Sequence, residues 1–532
     1  MAALYLGFDF STQQLKVTVI DDKLVLKYED AVKFDTDLPE YGTNGGVYLN
    51  SEEQTATSPT LMWVKALDIV LSRLKSSNID TSRILAISGS GQQHGSVYWK
   101  KGSEKLLQSL NSSKSLYENI SASKSCFSID NSPIWMDSST TEQCKRLENA
   151  IGGAATLAQL TGSRAYERFT GSQIAKINDI TPEALEETER IGLVSSFGAT
   201  LLLGKYAPID FADASGMNLM DINTKKWWQP CLDACAPNLQ AKLGEPVATS
   251  SVLGSISNYF VDAYGFSPDC KVVAFTGDNP ASLAGMRLKQ NEIIVSLGTS
   301  DTLFLWLEKA APALEGHVFC NPVDENAYMA LLCYKNGSLQ RERVRDACAE
   351  GSWETFERLL KATTIGNDGN IGIYYDEAEI TPANARGTFR FNCNDETVTS
   401  FEKQTEIRAI IEGQFLAKRL HAEAMGLTTT QDSRILATGG ASSSTAILQV
   451  ISDVFNRPVF TLDIPNSAAL GAAYIARYAV SRGSGRSFAE SVQDAPDFKC
   501  AARPAPKASE VYDTMLGRFK QIENRHVRKV HL

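Results

Sequence analysis

Short apolar runs recur along the chain, and most of them are closed by a glycine turn. Apolar runs of about four to eight residues bounded by turn residues are typical of buried strands. We therefore predict strands in LYLGFDF from Leu4, RILAISGSG from Arg83, KVVAFTGD from Lys271, IIVSLGTS from Ile293, RILATGG from Arg434 and RPVFTLD from Arg457.

The segments between these runs carry the spacing of amphipathic helices. In LMWVKALDIVLSRLKSS, apolar residues fall on one helical face, at Leu61, Val64, Leu67, Leu71 and Leu74. Two more helices are predicted, in IRAIIEGQFLAKRLHAEAMG, which ends at a glycine, and in AILQVISDVFN, which follows a serine-rich run. Strands that alternate with helices predict an α/β protein.

Two strand–turn–strand segments, one in each half of the chain, resemble each other. LGFDFSTQQLKVTVI can be aligned with IIVSLGTSDTLFLWL, so that Asp9 falls on Ser296 and Thr12 on Thr299. In this alignment Ser11 falls on Gly298. The pattern predicts a β-hairpin that is used twice, in two duplicated domains.

Length and charge limit the class of protein. The chain has 532 residues, whereas a single core stops growing at about 250–300 residues, so two large domains are expected. A formal net charge of −10 argues against a nucleic-acid-binding or anionic-membrane surface. Because no apolar run approaches a membrane span and MAALYLGFDF lacks the features of a secretory signal, we expect a cytoplasmic protein.

The turns of the two hairpins suit phosphate. A tight turn of small and hydroxyl residues presents several backbone N–H groups, which can form an anion-binding concavity, and Thr12 and Thr299 each add a hydroxyl donor. Either turn alone could be an ordinary one, but as a pair they favour a nucleotide gripped from two domains. Asp9 is then the natural carboxylate for Mg²⁺, held through water because Mg²⁺ keeps much of its hydration.

Two further turns carry candidate chemistry. In ATGGASSSTAIL, a strand reaches Gly439 and Gly440 before a helix, which lets a flat ring lie against the backbone; tight packing is the alternative. In GDNPAS, a predicted core strand delivers Asp278 and Asn279 at its tip, although these are also turn formers. Neither a GxxxxGK[ST] loop nor a GxGxxG turn at the first strand occurs, which argues against the two commonest nucleotide-binding folds.

Together these motifs resemble the FGGY carbohydrate kinases. The resemblance rests on DFSTQQ, SGSGQQHG, GDNPAS, SLGTSD and TGGAS, and it extends through YGTNGGVYLN, PIWMDSSTTEQC, LTGSRAYERFTGSQIAK and YAPIDFADASGMNLM. It therefore covers nearly the whole chain. The double hairpin is shared with actin and the heat-shock chaperone ATPases, whereas the stretches around His94, Arg168 and Asp278 are more specific to the kinases.

The resemblance implies two ribonuclease-H-like α/β domains with a cleft between them. It places a mainly sugar-binding domain in residues 1–289 and a mainly ATP-binding domain, with a C-terminal helical tail, in residues 290–532. The match is greatest to eukaryotic members that phosphorylate the terminal hydroxyl of D-xylulose. The implied small molecules are thus ATP, Mg²⁺ and D-xylulose, with no nucleic acid or membrane partner, in a monomer or homodimer.

The resemblance also implies roles for individual residues. Asp278 becomes the general base, and Asp9 a second catalytic carboxylate that holds the metal through water. The implied sugar contacts are Gln93, His94, Arg168, Asp278 and Asn279. The implied ATP contacts are Ser11, Thr12, Gln13, Gly298, Thr299, Ser300, Trp353, Gly439, Gly440, Ala441 and Ser444.

Several alternatives stay open. His94 could be a structural histidine, Arg168 could pair with Glu167 or another carboxylate, and Trp353 could belong to the core. Ser444 stands where related kinases often carry Asn, so the adenine contact there is expected to be weaker or bridged by water. Ser11 replaces a glycine that many relatives have in the first phosphate turn.

Two other functions compete with this interpretation. A kinase for ribulose, glycerol or gluconate would use the same phosphate-binding parts, because these never touch the sugar carbons. An actin-like or chaperone-like ATPase would need no sugar base and would usually carry polymer contacts or a peptide-binding domain. The pocket-like segments lie in the N-terminal half and nothing resembles an appended substrate domain, which argues against the ATPase. A third alternative is a silent sugar sensor, against which an intact Asp278 argues.

Overall fold

Two seven-stranded sheets lie at the centre of the computed structural model, which describes residues 3–122, 126–461 and 466–528. The strands before the middle of the chain are β1 Leu4–Phe10, β2 Gln14–Asp21, β3 Leu26–Lys33, β4 Tyr48–Asn50, β5 Thr55–Pro59, β6 Ile84–Gly91, β7 Ser96–Lys100, β8 Asn131–Pro133, β9 Thr188–Leu193, β10 Met220–Asp221, β11 Lys226–Trp227, β12 Val252–Ser255, β13 Lys271–Val273 and β14 Thr276–Gly277. The later strands are β15 Ile293–Leu297, β16 Asp301–Leu307, β17 His317–Cys320, β18 Tyr328–Tyr334, β19 Ile371–Tyr375, β20 Gly387–Phe391, β21 Ile435–Thr438, β22 Val459–Thr461 and β23 Lys499–Ala502.

Helices cover both sheets. Those of the N-terminal half are α1 Phe34–Asp37, α2 Thr60–Ser76, α3 Ser103–Leu107, α4 Leu116–Ala122, α5 Thr141–Ile151, α6 Ala154–Thr161, α7 Thr170–Ile180, α8 Pro182–Glu186, α9 Val194–Leu203, α10 Phe211–Ala214, α11 Gln229–Cys235, α12 Leu239–Leu243, α13 Asn258–Tyr264 and α14 Asp278–Gly285. Those of the C-terminal half are α15 Ser338–Cys348, α16 Trp353–Lys361, α17 Lys403–Ala424, α18 Thr445–Phe455, α19 Ser467–Ser481, α20 Phe488–Ser491 and α21 Ala508–Ile522.

The two large sheets repeat one topology. One contains the order β3-β2-β1-β6-β13 and the other the order β18-β16-β15-β21-β22. In each, an antiparallel hairpin has a parallel strand beside its first arm: β6 beside β1, and β21 beside β15. Residues 11–13 and 298–300 form the two connecting loops, which are the loops that the sequence alignment superimposes. The duplicated hairpin and the α/β fold are therefore confirmed.

The predicted helices form where the apolar spacing places them. In α2, Val64, Leu67, Leu71 and Leu74 are buried, whereas Leu61 is only partly buried. The predicted helix that follows the serine-rich run is α18, and the Ser444 side chain caps its N-terminus. Packing of an apolar face supplies most of the stability of such helices, which is why this pattern predicts them well.

The Ser, Gly and Pro content of residues 483–508 is typical of a loop or linker, but this expectation is wrong in part. It contains α20 and the strand β23, which pairs antiparallel with β22. The strand is short, it lies at the sheet edge, and its first residues, Lys499 and Cys500, are exposed. Its own pattern is therefore too short to reveal it.

The C-terminal helix α21 docks on its own half of the chain. The buried Tyr512 hydroxyl donates a hydrogen bond to the Glu412 carboxylate in α17, at 2.6 Å. The predicted helix is confirmed, and the contact fixes it against α17.

Helix α19 joins the two halves. It follows the C-terminal sheet in sequence, yet it packs on β1, β6 and α14. Backbone approaches backbone at this crossing: a Cβ added to Gly471 would lie 1.9 Å from the Ala281 carbonyl oxygen, and one added to Gly285 would lie 2.0 Å from that of Ser467. The expected domain division at residue 289 stays a prediction.

Within the described ranges, no helix is both long enough and apolar enough to cross a membrane.

Candidate active site

Three parallel strand ends of the N-terminal sheet meet at one edge. Strand β6 lies between β1 and β14, with Phe10 and Gly277 both registered against Gly91. Asp9 lies within β1, whereas Gln93 and Asp278 directly follow β6 and β14. Ligands of open α/β sheets bind at such carboxyl edges because the chain leaves the strands there in loops.

Asp278 is the first residue of α14, with Gly277 at the N-cap position. Its Oδ1 accepts a hydrogen bond from the Asn279 backbone N–H at 2.8 Å. Burial, and secondarily the charge of Asp9, raise the pKa of Asp278 to about 7, although the backbone N–H groups of Asn279 and Gln93 oppose the shift. A carboxyl group that titrates near neutral pH is suited to accept a proton during a reaction.

Gly277 is required at this position because two side chains crowd it. A Cβ there would lie 2.4 Å from Gln93 Cγ and 2.8 Å from Asp213 Oδ1. Asp213 is buried in α10 and accepts a hydrogen bond from the Ser195 hydroxyl at 2.5 Å. Burial and the neighbouring Asp210 hold the pKa of Asp213 well above its ordinary value, which favours the neutral acid. Sequence reasoning missed Asp213, although it lies in the quoted stretch YAPIDFADASGMNLM.

Gln93 and Asn279 contact each other. The Asn279 side-chain amide donates to Gln93 Oε1 at 2.8 Å and lies 3.3 Å from Asp278 Oδ1. The structure thus brings these three predicted residues together in one cluster.

Asp9 has different surroundings. It accepts hydrogen bonds from the Ser90 hydroxyl at 2.9 Å and from the Ser11 hydroxyl, and Lys16 forms an ion pair with it at 3.2 Å. Lys16 and Ser90 were not predicted from the sequence. Their donors already occupy both oxygens of Asp9, which suits an outer, water-mediated contact with Mg²⁺ better than direct ligation. Within the described parts of the chain, no cluster of three or more acidic, cysteine or histidine side chains could hold a metal ion.

His94 lies in the loop that follows β6, with a left-handed φ of 71°. Its ring stacks on Phe169 with 4.3 Å between centroids, and Nδ1 lies 2.9 Å from the Gly216 carbonyl oxygen. Burial, together with the charge of Arg168, lowers the pKa of His94 to about 3, so the ring is neutral. Because a carbonyl oxygen only accepts, the proton sits on Nδ1 and Nε2 is left as an acceptor for a ligand hydroxyl.

Arg168 lies over the Tyr166 ring at 5.5 Å, and its Nη2 is 3.4 Å from His317 Nε2. The alternative of a salt bridge with Glu167 is not found: in the described chain, no carboxylate forms an ion pair with Arg168. Its charge therefore remains available to a ligand.

His317 comes from β17, in the C-terminal half, and sequence reasoning missed it. It is buried, and burial together with Arg168 holds its pKa well below the ordinary value. The rarity of histidine, with five in the chain, is the one signal that could have found it.

The segment PIWMDSS contributes one side chain near the first hairpin. The Trp135 indole N–H donates to the Thr12 hydroxyl at 2.9 Å. Asp137, in contrast, is buried and accepts hydrogen bonds from the Ala56 backbone and the Gln173 side chain. Asp137 thus holds this segment in place, whereas Trp135 approaches the turn predicted to bind phosphate.

A cavity of about 550 Å³ lies beside the second hairpin, in the C-terminal half. Six residues predicted to contact ATP lie on its walls: Gly298, Thr299, Trp353, Gly440, Ala441 and Ser444. Five others do not line it, and Gly439 is one of them. Ser11, Thr12 and Gln13 belong to the first hairpin, and the side chain of Ser300 is exposed.

The two glycines before α18 differ. Gly439 has φ of 86°, and a Cβ there would lie 2.5 Å from the Leu297 carbonyl oxygen, so packing against β15 explains it. A Cβ on Gly440 would meet no atom within 4 Å. Gly440 therefore leaves open space at the cavity wall, as expected for a position that a ring can approach.

Trp353 and Ser444 line the same cavity in different ways. Trp353 is 40% exposed, under the Arg345 guanidinium at 4.8 Å, so it is not a core residue. The Ser444 hydroxyl accepts the Ile447 backbone N–H at 3.4 Å as the N-cap of α18. The serine at this position thus already has a structural partner.

A buried ion cluster fixes the second hairpin. Asp301, the first residue of β16, receives both Nη1 and Nη2 of Arg341 at 2.8 and 2.9 Å, and Lys418 at 3.0 Å. Burial opposes ionisation, but Lys418 and Arg341 keep the pKa of Asp301 below its ordinary value. The turn at residues 298–300 is therefore anchored directly beside the cavity.

Comparison with known proteins gives a consistent result. The N-terminal and C-terminal domain models of the FGGY family of carbohydrate kinases match residues 123–285 and 293–480. The chain is 56% identical to the xylulose kinase of Rattus norvegicus over 524 residues, which cover 98% of this chain and 97% of that protein.

Solved structures share the fold. A ligand-bound xylulose kinase from Lactobacillus acidophilus superimposes with a TM-score of 0.78 at 20% identity, over 99% of this chain and 100% of that one. A gluconate kinase from the same organism gives a TM-score of 0.79 at 20% identity, over all of both chains. Kinases named for different substrates thus have this fold, so the fold alone does not select the sugar. The protein belongs to the FGGY family of carbohydrate kinases.

Proposed function

We propose that this protein transfers the γ-phosphoryl group of ATP to the terminal hydroxyl of D-xylulose. The observation that carries the proposal is the Asp278 carboxyl group, with a pKa of about 7, beside Gln93 and Asn279 at the carboxyl edge of the N-terminal sheet. The identity of 56% with the rat xylulose kinase over nearly the full length supports D-xylulose as the substrate.

We infer that Asp278 acts as the general base. It accepts the proton of the terminal hydroxyl as that oxygen forms its bond to the γ-phosphorus, while the bond from the γ-phosphorus to the bridging oxygen breaks and ADP leaves with the electron pair. The products are D-xylulose 5-phosphate and ADP, and the proton passes from Asp278 to solvent.

The neighbouring side chains would orient the sugar. His94 offers Nε2 as an acceptor for a sugar hydroxyl, whereas Arg168 and the Asn279 amide offer donors. Arg168 lacks a carboxylate partner in the described chain, so it can bind a ligand oxygen without first breaking an ion pair. Orientation of this kind contributes to catalysis by lowering the entropy cost of reaching the transition state.

The cavity of about 550 Å³ is the proposed ATP site. The turn at residues 298–300 would present backbone N–H groups to the phosphates, with Gly440 and Trp353 at the base. The first hairpin would approach the phosphates from the other half of the chain through Ser11, Thr12 and Gln13. Asp9 would hold Mg²⁺ through water, and Mg²⁺ would supply positive charge that balances the phosphate oxygens.

An ADP-release assay with MgATP tests the proposal. The panel is D-xylulose, L-xylulose, D-ribulose, glycerol, gluconate and no sugar. We expect release that depends on D-xylulose and far exceeds release with any other compound. Preference for another compound would retain the kinase mechanism and reject the substrate. ADP release at the same rate with every sugar and without sugar would reject the kinase in favour of an actin-like or chaperone-like ATPase.

A further inference from the structure

A second cavity, of about 350 Å³, lies outside the proposed active site. Its walls include the segment 287–290, which connects α14 with the first strand of the C-terminal sheet, and residues from 487 to 498, which follow α19. Trp306 of β16, residues 323 and 324, and Arg434 complete it. Elements that pack on both large sheets thus meet around this cavity.

Arg287, in the wall, is a buried cation that forms no ion pair with a carboxylate of the described residues. It is 8% exposed, and Nη1 and Nη2 donate to the carbonyl oxygens of Ala495 and Pro496 at 3.1 and 2.5 Å. Its Nε has no hydrogen-bond partner, and no carboxylate of the described chain forms an ion pair with it. Burial lowers the pKa of Arg287, and the nearby charge of Arg434 adds to the effect, whereas Asp497 and Glu292 oppose it without forming an ion pair. An unpaired buried charge is costly, so this wall favours an anion.

Two more basic groups line the same cavity. Arg434 uses Nε to bind Glu292 at 2.6 Å, and its two Nη atoms make no hydrogen bond within the described residues. Lys289 is exposed and has no carboxylate partner in that part of the chain. The guanidinium groups of Arg287 and Arg434 both lie against the Phe498 ring, at 4.5 and 4.9 Å. This ring holds both cations at the cavity.

The rest of the cavity lining combines carboxylates with apolar side chains. Asp324 and Asp497 supply carboxylates that are not in ion pairs within the described residues, and Trp306 and Phe498 supply apolar surface. Carboxylates accept hydrogen bonds from hydroxyl groups, and flat apolar side chains suit a carbon skeleton. A bare inorganic anion would use the basic groups alone.

We propose that this cavity binds a small phosphorylated sugar or polyol, with its phosphate group at Arg287, Lys289 and Arg434. Its hydroxyls bind Asp324 and Asp497. The volume lies in the range of small-molecule sites, about 300–1,000 Å³. The walls come from elements packed on both sheets, so the bound molecule stabilises one arrangement of the two halves over others. It thereby acts on the enzyme from a site remote from the reacting atoms. The proposal does not depend on which sugar the active site phosphorylates.

Isothermal titration of the full chain with D-ribose 5-phosphate tests this site, with inorganic phosphate and D-ribose titrated at the same ionic strength. We expect D-ribose 5-phosphate to bind more tightly than either. Lys289→Gln, at an exposed position, should weaken binding by about tenfold because it removes one charge-assisted contact. Lys145→Gln is the control and should bind as the wild type does. Lys145 is an exposed lysine of the other half, far from this cavity in sequence, and it has its own partner, Glu142.

Hydrogen–deuterium exchange locates the bound molecule. Protection by D-ribose 5-phosphate should appear in residues 287–292 and 488–498, in the wild type and in Lys145→Gln. Protection confined to residues 91–94 and 278–279, or equal affinity of the wild type and Lys289→Gln, would overturn the proposal. Inorganic phosphate that binds as tightly as the sugar phosphate would overturn the assignment of the hydroxyl contacts.

Discussion

At the scale of single residues, two carboxylates of the N-terminal sheet differ in their surroundings. Asp9 is paired with Lys16 and bound by two serine hydroxyls, whereas Asp278 has a pKa raised to about 7 by burial and by Asp9. Such different surroundings suit the two carboxyl groups to different roles, one as a stabilising charge and the other as a base.

Asp278→Asn should abolish most turnover and leave sugar binding nearly intact. The amide keeps the size and the polar contacts of the carboxyl group but cannot accept the hydroxyl proton, so kcat should fall by about 10²–10⁴-fold. Steady-state rates measure kcat, and isothermal titration measures the affinity for D-xylulose. Asp269→Asn, at an exposed position of the same half, is the matched control. Activity of Asp278→Asn within a few fold of the wild type would show that Asp278 is not the base.

The pH dependence of kcat/KM should report the same group. The base is active when deprotonated, so kcat/KM should rise with pH and level off above about pH 7, where Asp278 loses its proton. A pH–rate profile from pH 5.5 to 8.5 in buffers of constant ionic strength measures this. A profile that is flat across pH 7 would contradict the assignment.

The contribution of Asp278 to the stability of the folded protein should fall as the pH rises, whereas kcat/KM should increase. The pKa of Asp278 is raised from 3.8 to about 7 in the folded protein, so its contribution to stability is complete below 3.8 and is lost as pH rises through about 7. Asparagine does not titrate, so the Asp278→Asn variant does not lose this stability as the pH rises. The Tm of the variant should therefore increase relative to that of the wild type between pH 5 and pH 8. Thermal unfolding of both proteins at the two pH values tests the prediction. A difference in Tm that does not grow with pH would count against the raised pKa.

At the scale of elements, α14 has two functions. Its first residue is Asp278, and its last turn meets α19 through Gly285, Ser467 and Gly471 at backbone distance. The position of the proposed base therefore depends on a helix crossing at which side chains larger than hydrogen do not fit.

Gly471→Ala should disturb this crossing. The added Cβ would lie 1.9 Å from the Ala281 carbonyl oxygen, so the helices must separate, at a cost of about 1–3 kcal/mol. We expect a lower Tm and a reduced kcat, because α14 carries Asp278. Gly517→Ala in α21 is the control, since its Cβ meets no atom within 4 Å, and it should stabilise by about 0.5–1 kcal/mol. Unchanged stability and kcat in Gly471→Ala would show that the crossing does not constrain α14.

At the scale of the whole molecule, the proposed groups are divided between the two halves. The proposed base and most of the sugar contacts lie at the carboxyl edge of the N-terminal sheet, whereas the cavity beside the second hairpin lies in the C-terminal half. His317 is an exception, because it comes from β17 in the C-terminal half and contacts Arg168 of the N-terminal half. A kinase must also keep water from accepting the phosphoryl group, which favours closure of the halves over the bound substrates.

Closure should be visible in solution. Small-angle scattering should give a smaller radius of gyration with D-xylulose and a non-hydrolysable ATP analogue than without them, because the ligands bridge the halves. Each ligand alone serves as the control. An unchanged radius with both ligands bound would contradict closure.

The sequence by itself determined the local elements and the grouping of several candidate residues. The apolar runs gave the strands, the helical spacing gave α2 and α18, and the aligned hairpins gave both three-residue loops. Asp278, Gln93 and Asn279 lie together as expected, because each closely follows a strand that ends at the same sheet edge. Such features depend on residues close in sequence, which is why a pattern is enough to predict them.

The tertiary structure decided what depends on distant residues. The short strand β23 forms because β22 offers an edge. Helix α19 packs on a sheet whose seven strands come from the other half, and His317 reaches Arg168 only after folding. The raised pKa of Asp278 likewise comes from burial and from Asp9 on β1, which is separated from β14 by β6. These contacts bring together groups that are remote along the chain, and local pattern carries no information on which remote groups will meet.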